Sequence, residues 1–491
     1  MEILYKSTRG KEKVRASEAI INGLASDGGL YIPTIIPKID LSYDELIKFD
    51  YRELAMYILK KYLTDFSEEE ISYCVNNAYN DKFEREEIAP LVKKGDEYYL
   101  ELYHGRTLAF KDMALSILPY LMKVACKKLN IKDEIVILTA TSGDTGKAAL
   151  EGFAGIPGFR IIVFYPENGV SHIQKLQMVT QKEENTLVFG IKGNFDDAQS
   201  GVKEIFEDKN FNESLKEEGY ILSSANSINI GRLIPQIIYY VYSYISMIKK
   251  GYISKGQEIN VSVPTGNFGN ILAGFYAKSM GIPINKLICA SNENNVLWEF
   301  FNDGSYNKNR DFKVTVSPSM DILVSSNLER LLYNISDEKT VKNMMEDLKR
   351  KGEYTLSESM ISSLKDFYSS FATDKETYEA VKKMYEKNLY LMDTHTAVAY
   401  KAYKDYSETT KDEKKTIIVS TASPFKFNKD ICKGLGIDEE IEDFRLIEKL
   451  SAYTGVEIPI SLKILESSPV VHKLSCSKSE MRESIKKYLR V

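Results

Sequence analysis

An alternation of short apolar runs with helical stretches, starting near Tyr98, is the feature that most limits how this chain can fold. Each run is rich in β-branched residues and is followed by a loop of Gly, Ser or Thr. Nearly continuous apolar runs are typical of parallel strands that helices cover on both faces. We therefore predict an α/β fold whose strands include residues 134–139, 161–166, 186–191, 259–264, 286–291 and 416–421.

Residues 1–93 lack this alternation and predict a mainly helical N-terminal domain. Two capping boxes mark helix starts, one where Ser42 precedes Glu45 and one where Ser67 precedes Glu70. The segment SDGGLYIP at residues 26–33 holds two glycines and a proline, which is typical of a loop.

The rest of the chain, residues 94–491, is expected to form two α/β subdomains. The smaller one covers roughly residues 110–230, and the larger one contains the remainder. Within the larger one, residues 335–390 are rich in Lys, Glu and Ser, with apolar residues spaced by three and four, as at Met360, Leu364 and Phe367. This spacing predicts solvent-facing helices.

The composition limits the class of partner. A formal net charge of −5 leaves no excess of positive charge to bind a nucleic-acid backbone or an anionic membrane. The five cysteines form no C-x-x-C pair, and no segment approaches the ~20 apolar residues that a membrane helix requires. We expect a cytoplasmic protein with reduced thiols and no metal site, whose partners are small molecules.

Three loop-to-helix junctions carry candidate chemistry, because the free N–H groups at a helix N-terminus bind anions. The first is TATSGDTGKAAL at residues 139–150. It has the outline of a Walker P-loop, but Thr141 stands where that motif requires glycine and Ala148 where it requires Ser or Thr. The sequence therefore argues against an ATPase. Lys147 lies inside the first helical turn of this junction, and we expect it to be exposed.

The second junction is the glycine-containing loop that opens residues 263–281. Gly266 and Gly269 permit positive φ and leave backbone N–H groups free to converge on one anion. Glycines at this spacing also occur in ordinary strand-to-helix turns. A dinucleotide fingerprint is absent, since Asn267 and Phe268 separate the two glycines. The loop predicts either a phosphate-binding cradle or a simple turn.

The third junction contains Lys111, which follows Leu108, Ala109 and Phe110 directly before a helical stretch. An apolar setting lowers a lysine pKa, and a neutral amine forms a Schiff base with an aldehyde cofactor. The alternative is a surface lysine on the first turn of a helix. This segment alone leaves both interpretations open.

Taken together, several ordered segments resemble the threonine synthase family of pyridoxal-phosphate enzymes. They are HGRTLAFKD, TSGDTGKAA, YPENGVSHIQKLQMVTQ, ANSINIGRL, VPTGNFGNILAG, SPSMDILVSSNLERLL, DTHTAVA and TASPFKF. The match extends from YKSTRG near the N-terminus to GVEIPISLKILE at residues 455–466 and looks like the longer microbial and fungal branch. The resemblance implies the tryptophan-synthase-like fold, fold type II, with two open, twisted, mostly parallel sheets flanked by helices.

The resemblance also implies roles for individual residues. Lys111 would hold pyridoxal 5'-phosphate as a Schiff base, and Thr421, with Ser423 in reserve, would face the pyridine nitrogen. The loop that would bind the cofactor phosphate consists of Gly266, Asn267, Phe268, Gly269 and Asn270. The candidates for binding substrate phosphate or carboxylate are Thr141, Ser142, Asp144, Thr145, Asn226, Ser227, Asn229 and Arg232. Which of them binds which group stays open, and Arg232 could equally be a structural ion-pair partner.

The implied reaction is γ-elimination of phosphate from O-phospho-L-homoserine followed by addition of water at the β-carbon, which yields L-threonine. Pyridoxal phosphate supplies the electron sink, and Lys111 is the natural general base. The alternatives are another lyase of this fold, such as a phospho-lyase or a serine/threonine deaminase, and a non-catalytic binding protein. A monomer or homodimer is expected, with the part around TSGDTG closing over the substrate.

Overall fold

The N-terminal part combines a small antiparallel sheet with helices. The computed structural model describes residues 2–141, 143–167, 169–438 and 440–491. The first elements are β1 (Tyr5–Ser7), β2 (Lys13–Val14), α1 (Ala16–Asn22), β3 (Tyr31–Pro33), α2 (Tyr43–Leu46), α3 (Tyr51–Tyr62) and α4 (Glu68–Ala78).

The capping boxes at Ser42 and Ser67 are both present and begin α2 and α4. The prediction of a loop over residues 26–33 is wrong for its last three residues. They form β3, because their backbone pairs with β1 in an antiparallel register.

The middle of the chain, residues 91–223, contributes strands to both large sheets and supplies most of the smaller one. Its elements are β4 (Leu91–Lys94), β5 (Glu97–Glu101), α5 (Asp112–Leu115), α6 (Leu118–Lys128), β6 (Glu134–Ala140), α7 (Asp144–Phe153), β7 (Phe159–Pro166), α8 (His172–Val179), β8 (Thr186–Ile191), α9 (Phe195–Glu207), α10 (Lys209–Glu217) and β9 (Tyr220–Ser223). The strand order of the smaller sheet is β16-β8-β7-β6-β9, where β16 (Leu474–Cys476) comes from near the C-terminus, and all pairs are parallel.

The remaining elements complete the larger sheet and its covering helices. They are α11 (Ile230–Lys249), β10 (Ile259–Pro264), α12 (Gly269–Met280), β11 (Ile284–Ser291), α13 (Val296–Asp303), β12 (Ser305–Asn307), α14 (Leu328–Asn334), α15 (Glu338–Arg350), β13 (Glu353–Thr355), α16 (Glu358–Ser363), β14 (Phe367–Phe371), α17 (Asp374–Asn388), α18 (Thr394–Thr410), β15 (Thr416–Ser420), α19 (Asn428–Leu435), α20 (Asp443–Thr454), α21 (Ile460–Glu466), β16 (Leu474–Cys476) and α22 (Met481–Leu489). The larger sheet has the order β14-β11-β10-β15-β5-β4, parallel except for the β4–β5 pair.

The predicted α/β class with two mostly parallel sheets is confirmed, and each of the six predicted strands is present within two residues of its expected bounds. Among the described residues, no helix has the length and apolar character that crossing a membrane would require.

Three boundaries differ from the sequence-based expectation. Strand β4 begins at Leu91 and pairs with β5, so the larger sheet starts before the boundary expected at residue 94. Phe367, expected on a solvent-facing helix, begins β14 and packs against Phe301. Strand β16, expected in the larger subdomain, pairs with β8 and buries Cys476, thereby covering an open sheet edge.

Two of the three predicted junctions lie at the ends of strands, one in each of the two large sheets. Helix α7 follows β6 and helix α12 follows β10, so both helix N-termini lie at the carboxyl ends of parallel strands, where ligands bind in open α/β sheets. Helix α11 is buried along almost all of its length and packs against α12, α5 and α3. It thereby joins the N-terminal part to the region around Lys111.

Candidate active site

The segment that carries Lys111 is held beside the segment that follows β15. The Phe110 N–H donates to the carbonyl oxygen of Thr421 at 2.8 Å, and the Ser423 N–H donates to the carbonyl oxygen of Leu108 at 3.0 Å. Leu108 adopts φ 59°, a left-handed backbone conformation that is uncommon outside glycine. Two segments more than 300 residues apart in sequence are therefore fixed against each other next to the candidate lysine.

Lys111 shares a buried carboxylate with a second lysine. The Lys111 side chain is 12% exposed, and its Nζ lies 3.6 Å from Oδ2 of Asp144. Lys426 is fully buried, and its Nζ donates to Oδ1 of Asp144 at 2.6 Å and to the carbonyl oxygen of Thr107 at 2.8 Å. Gln174 Nε2 also donates to Oδ1 of Asp144 at 3.1 Å. Asp144, the first residue of α7, thus holds both ammonium groups.

This arrangement shifts the protonation of both partners. Burial lowers the pKa of Lys111; Asp144 opposes that effect, while the positive charges of Lys426 and Arg232 add to it. Burial would raise the pKa of Asp144, but Lys426 and Lys111 bring it below its usual value. A lysine with a lowered pKa supplies a neutral amine more readily, as both nucleophilic and general-base chemistry require.

Arg232 is a buried cation in the first turn of α11. It is 4% exposed, its Nη1 donates to the carbonyl oxygen of Ala225 at 3.0 Å, and burial lowers its pKa to about 10. Within the described part of the chain, its Nε has no hydrogen-bond partner and no carboxylate lies within 4 Å of the guanidinium. The alternative of a structural ion pair therefore has no partner there, and an anionic ligand would satisfy this group.

The loop from Gly266 to Asn270, called the cradle loop below, is fixed by hydrogen bonds from a neighbouring segment and leads into α12. The Ser325 hydroxyl donates to the carbonyl oxygen of Gly266 at 2.6 Å. Both the backbone N–H and the Nδ2 of Asn327 donate to the carbonyl oxygen of Asn267, at 3.1 and 3.0 Å. Phe268 has φ 63°, and α12 begins at the next residue. The first N–H groups of that helix have no partner within it and suit a phosphate.

Two further observations fit a phosphate-bearing cofactor at this loop. A Cβ added to Gly266 would lie 2.9 Å from the carbonyl oxygen of Ser319, so glycine is required for the close backbone approach. Asn270 is buried, and its Oδ1 accepts hydrogen bonds from the hydroxyls of Tyr239 and Tyr240 at 2.7 and 2.6 Å. Its Nδ2 is a buried donor without a partner in the described residues. With the amine of Lys111, these groups match the aldehyde and phosphate of pyridoxal phosphate.

The other predicted substrate residues divide into two groups. Thr141 and Asn229 shape the backbone: Thr141 Oγ1 accepts from the N–H groups of Gly143 and Gly146, while Asn229 caps α11 and donates to the carbonyl oxygen of Ile20 at 2.8 Å. Thr145 and Ser227 are half-buried and Asn226 is exposed. Ser142 lies outside the described residues. Thr421 and Ser423 are buried at the end of β15, and their role toward the pyridine nitrogen stays a prediction.

Sequence reasoning missed Lys426 and misjudged Lys147. Lys426 lies in the TASPFKF segment, but its partner Asp144 is distant in sequence, so no local signal marked its charge. Lys147, expected to be exposed, is buried and donates to Gln181 Oε1 at 2.7 Å and to Glu151 Oε2 at 3.1 Å. The Arg106 side chain is half-exposed and pairs with Glu151 at 3.0 Å.

Comparisons with known proteins place these residues in a family context. Residues 4–79 match the family model described as threonine synthase N terminus, and residues 90–422 match that of pyridoxal-phosphate dependent enzymes. Threonine synthase of Schizosaccharomyces pombe is 37% identical over 465 residues, which cover 88% of this chain and 89% of that protein. Threonine synthase-like 1 of Homo sapiens is 38% identical over 448 residues, which cover 87% of this chain but 59% of that protein. The chain thus spans about 60% of the length of the threonine synthase-like 1 proteins it matches.

Solved structures give the same picture. Threonine synthase from yeast superimposes with a TM-score of 0.90 and 33% identity, covering 99% of both chains. Pyridoxal-phosphate-bound threonine synthase from Brucella melitensis gives a TM-score of 0.89 and 32% identity, covering 100% of both chains.

Proposed function

Because the chain belongs to the threonine synthase family of pyridoxal-phosphate-dependent enzymes, we propose that it converts O-phospho-L-homoserine and water into L-threonine and inorganic phosphate. The observation that carries this proposal is the buried set of positive groups beside Lys111. A substrate with a doubly charged phosphate and a carboxylate supplies the counter-charge that this set lacks.

The charges near Lys111 support an anionic substrate. Lys426 and Arg232 are two further basic side chains close to Lys111, and Asp144 is the carboxylate placed between the two lysines. Asp112 is a second buried carboxylate close in sequence to Lys111, and both of its oxygens bind Thr107. The Thr107 N–H donates to Oδ2 at 2.8 Å, and the Thr107 hydroxyl donates to Oδ1 at 2.5 Å. The guanidinium of Arg232 therefore remains available for phosphate, which it can bind with two parallel hydrogen bonds.

The cofactor would be held by Lys111, by the first N–H groups of α12 and by Asn270, and when bound it withdraws electrons from the α-carbon of an attached amino acid. We propose that the Lys111 amine, released when the substrate binds, moves protons at the α-, β- and γ-carbons. Because burial lowers its pKa, a larger fraction of this amine is unprotonated, and so able to accept a proton, than of an exposed lysine. Thr421 would face the pyridine nitrogen, with Ser423 as the second candidate.

The proposal also covers substrate contacts, closure of the site, cellular location and oligomeric state. Asp144 and Thr145 at the start of α7, with Ser142, would contact the substrate, and Asn226 and Ser227 would do so from the loop before α11. Closure of the smaller sheet over the site would exclude water from the reacting carbons. We also propose a cytoplasmic location and a monomer or homodimer.

The test is to incubate the purified protein and pyridoxal phosphate with O-phospho-L-homoserine and to measure phosphate and threonine together. Equal yields of both products, lost in Lys111→Ala, are expected. Parallel incubations with serine and threonine measure pyruvate and 2-oxobutyrate. Phosphate without threonine would identify a phospho-lyase, and 2-oxobutyrate from threonine a deaminase. Cofactor binding without any product would indicate a binding protein.

A further inference from the structure

Arg330 is a fully buried arginine whose guanidinium contacts three separate parts of the chain. Its Nε donates to the carbonyl oxygen of Tyr31 in β3 at 2.9 Å, and its Nη2 donates to the carbonyl oxygen of Ile228 at 2.5 Å. Its Nη1 donates to Oδ1 of Asn327. One planar group therefore ties the N-terminal part, the loop before α11 and the segment that packs on the cradle loop.

Two of these contacts lead directly to the proposed ligand loops. Asn327, which accepts from Arg330, donates from both its N–H and its Nδ2 to the carbonyl oxygen of Asn267 in the cradle loop. Ile228 lies between Ser227 and Asn229, in the loop directly before α11, whose first turn carries Arg232. Arg330 is thus one hydrogen bond from the substrate loop and two from the cofactor-phosphate loop.

The charge of Arg330 has no ion-pair partner that would explain its burial. Within the described residues, no carboxylate lies within 4 Å of it, and the neighbouring Glu329 is engaged by Arg9 at 2.7 Å and by Thr8 at 2.5 Å. Burial lowers the pKa of Arg330 to about 10. Burying a cation against neutral acceptors is costly, and what the guanidinium provides in return is a rigid fork whose three donors contact three separate parts of the chain.

We propose that Arg330 is a positioning residue that fixes the cradle loop and the loop before α11 relative to each other, using the N-terminal part as its third support. For the first loop the inference needs only the cofactor, whereas for the second it rests on the proposed function. The fixed spacing would place the cofactor phosphate and the substrate phosphate on separate sets of donors.

The test uses Arg330→Met, Arg330→Lys and, as an independent break in the same relay, Asn327→Leu. The matched control is Arg310→Met, which removes an arginine that binds Glu299, Asn295 and the carbonyl oxygen of Asn307 and, among the described residues, makes no hydrogen bond to either loop. For each variant we would measure the dissociation constant of pyridoxal phosphate with the apoenzyme, the phosphorus NMR shift of the bound cofactor and the apparent melting temperature.

Asn327→Leu removes the Nδ2 hydrogen bond to Asn267, and Arg330→Met removes the group that orients Asn327. Each is expected to weaken cofactor binding roughly tenfold and to move the phosphorus resonance. The double variant should be no weaker than the worse single variant, because both act through one relay. Arg330→Lys should recover part of the affinity, and Arg310→Met should match the wild type.

The proposal is overturned if both single variants melt at a lower temperature but keep the wild-type cofactor affinity and phosphorus resonance. Arg330 would then contribute to stability alone. If Arg330→Met does not fold, Asn327→Leu alone decides the cofactor arm. Because these readouts need no substrate, they remain valid if the proposed reaction is wrong. For the second loop, an unchanged KM for O-phospho-L-homoserine in Arg330→Lys, with normal turnover in the wild type, would refute the placement.

Discussion

The buried pair of Lys426 and Asp144 gives the sharpest prediction about the stability of the site. Lys426→Met keeps most of the side-chain volume but removes one charge and the donors to Asp144 and to the Thr107 carbonyl oxygen. Asp144 then retains Gln174 and the more distant Lys111. Removing one partner of a buried ion pair typically costs ~3–5 kcal/mol, because the other charge stays buried.

For a chain of 491 residues, whose unfolding entropy is about 1 kcal/mol/K, a loss of that size should lower the apparent melting temperature of the apoenzyme by roughly 3–5 °C, measured by differential scanning calorimetry at pH 7.5. The decisive comparison is the double variant Lys426→Met with Asp144→Asn, which removes the stranded carboxylate. It should melt at a higher temperature than Lys426→Met alone.

The control is Lys429→Met, three residues away on the same segment. Its side chain is 61% exposed and faces Asp443 at 3.5 Å, so the expected change is below ~1 kcal/mol. The reasoning fails if Lys426→Met melts like Lys429→Met, or if the two substitutions in the double variant simply add.

Three further outcomes follow from the site. Gly266→Ala should weaken pyridoxal-phosphate binding roughly tenfold, because its Cβ would lie 2.9 Å from the Ser319 carbonyl oxygen; equal affinity in equilibrium dialysis would contradict this. Arg232→Met should raise the KM for O-phospho-L-homoserine roughly 10- to 100-fold without weakening cofactor binding. The control Arg482→Met, at an arginine paired with Asp208, should change neither the KM nor the cofactor affinity. An unchanged KM in Arg232→Met would remove Arg232 from the phosphate site. In the apoenzyme, the Lys111 amine should react with aldehydes at a lower pH than an exposed lysine, because burial and nearby cations lower its pKa. Lys426→Met should move that pH upward. The measurement is a pH profile of labelling read by mass spectrometry, and a profile that matches exposed lysines would refute this.

Much of the fold could be predicted because the relevant signals are local. The buried parallel strands are continuous apolar runs, and the helices α2 and α4 begin with side chains that cap their own backbone. The β14 error has a physical cause. Met360, Leu364 and Phe367 have helical spacing, but Phe367 pairs through its backbone with Leu287 in β11, a contact that spacing along the chain does not reveal.

The candidate site divides in the same way. Lys111 and the cradle loop stand out in sequence because an apolar flank and paired glycines are local features. The groups that set their electrostatics and geometry do not, because Lys426 meets Asp144, and Arg330 meets Tyr31, across about 280 and 300 residues. The interpretation of Lys147 failed for the same reason, since its partner Gln181 comes from another helix-to-strand connection.

Strand β16 has a consequence for how the protein emerges from the ribosome. The edge of β8 stays unpaired until Leu474–Cys476 has been synthesised, more than 280 residues later. At common elongation rates of 5–20 residues per second, this leaves the edge of β8 without its partner strand for roughly 15–60 s. During that interval the nascent chain presents an open sheet edge that other strands can pair with. We therefore expect chaperone binding to the chain, and its tendency to aggregate, to be greatest before the last few dozen residues are translated.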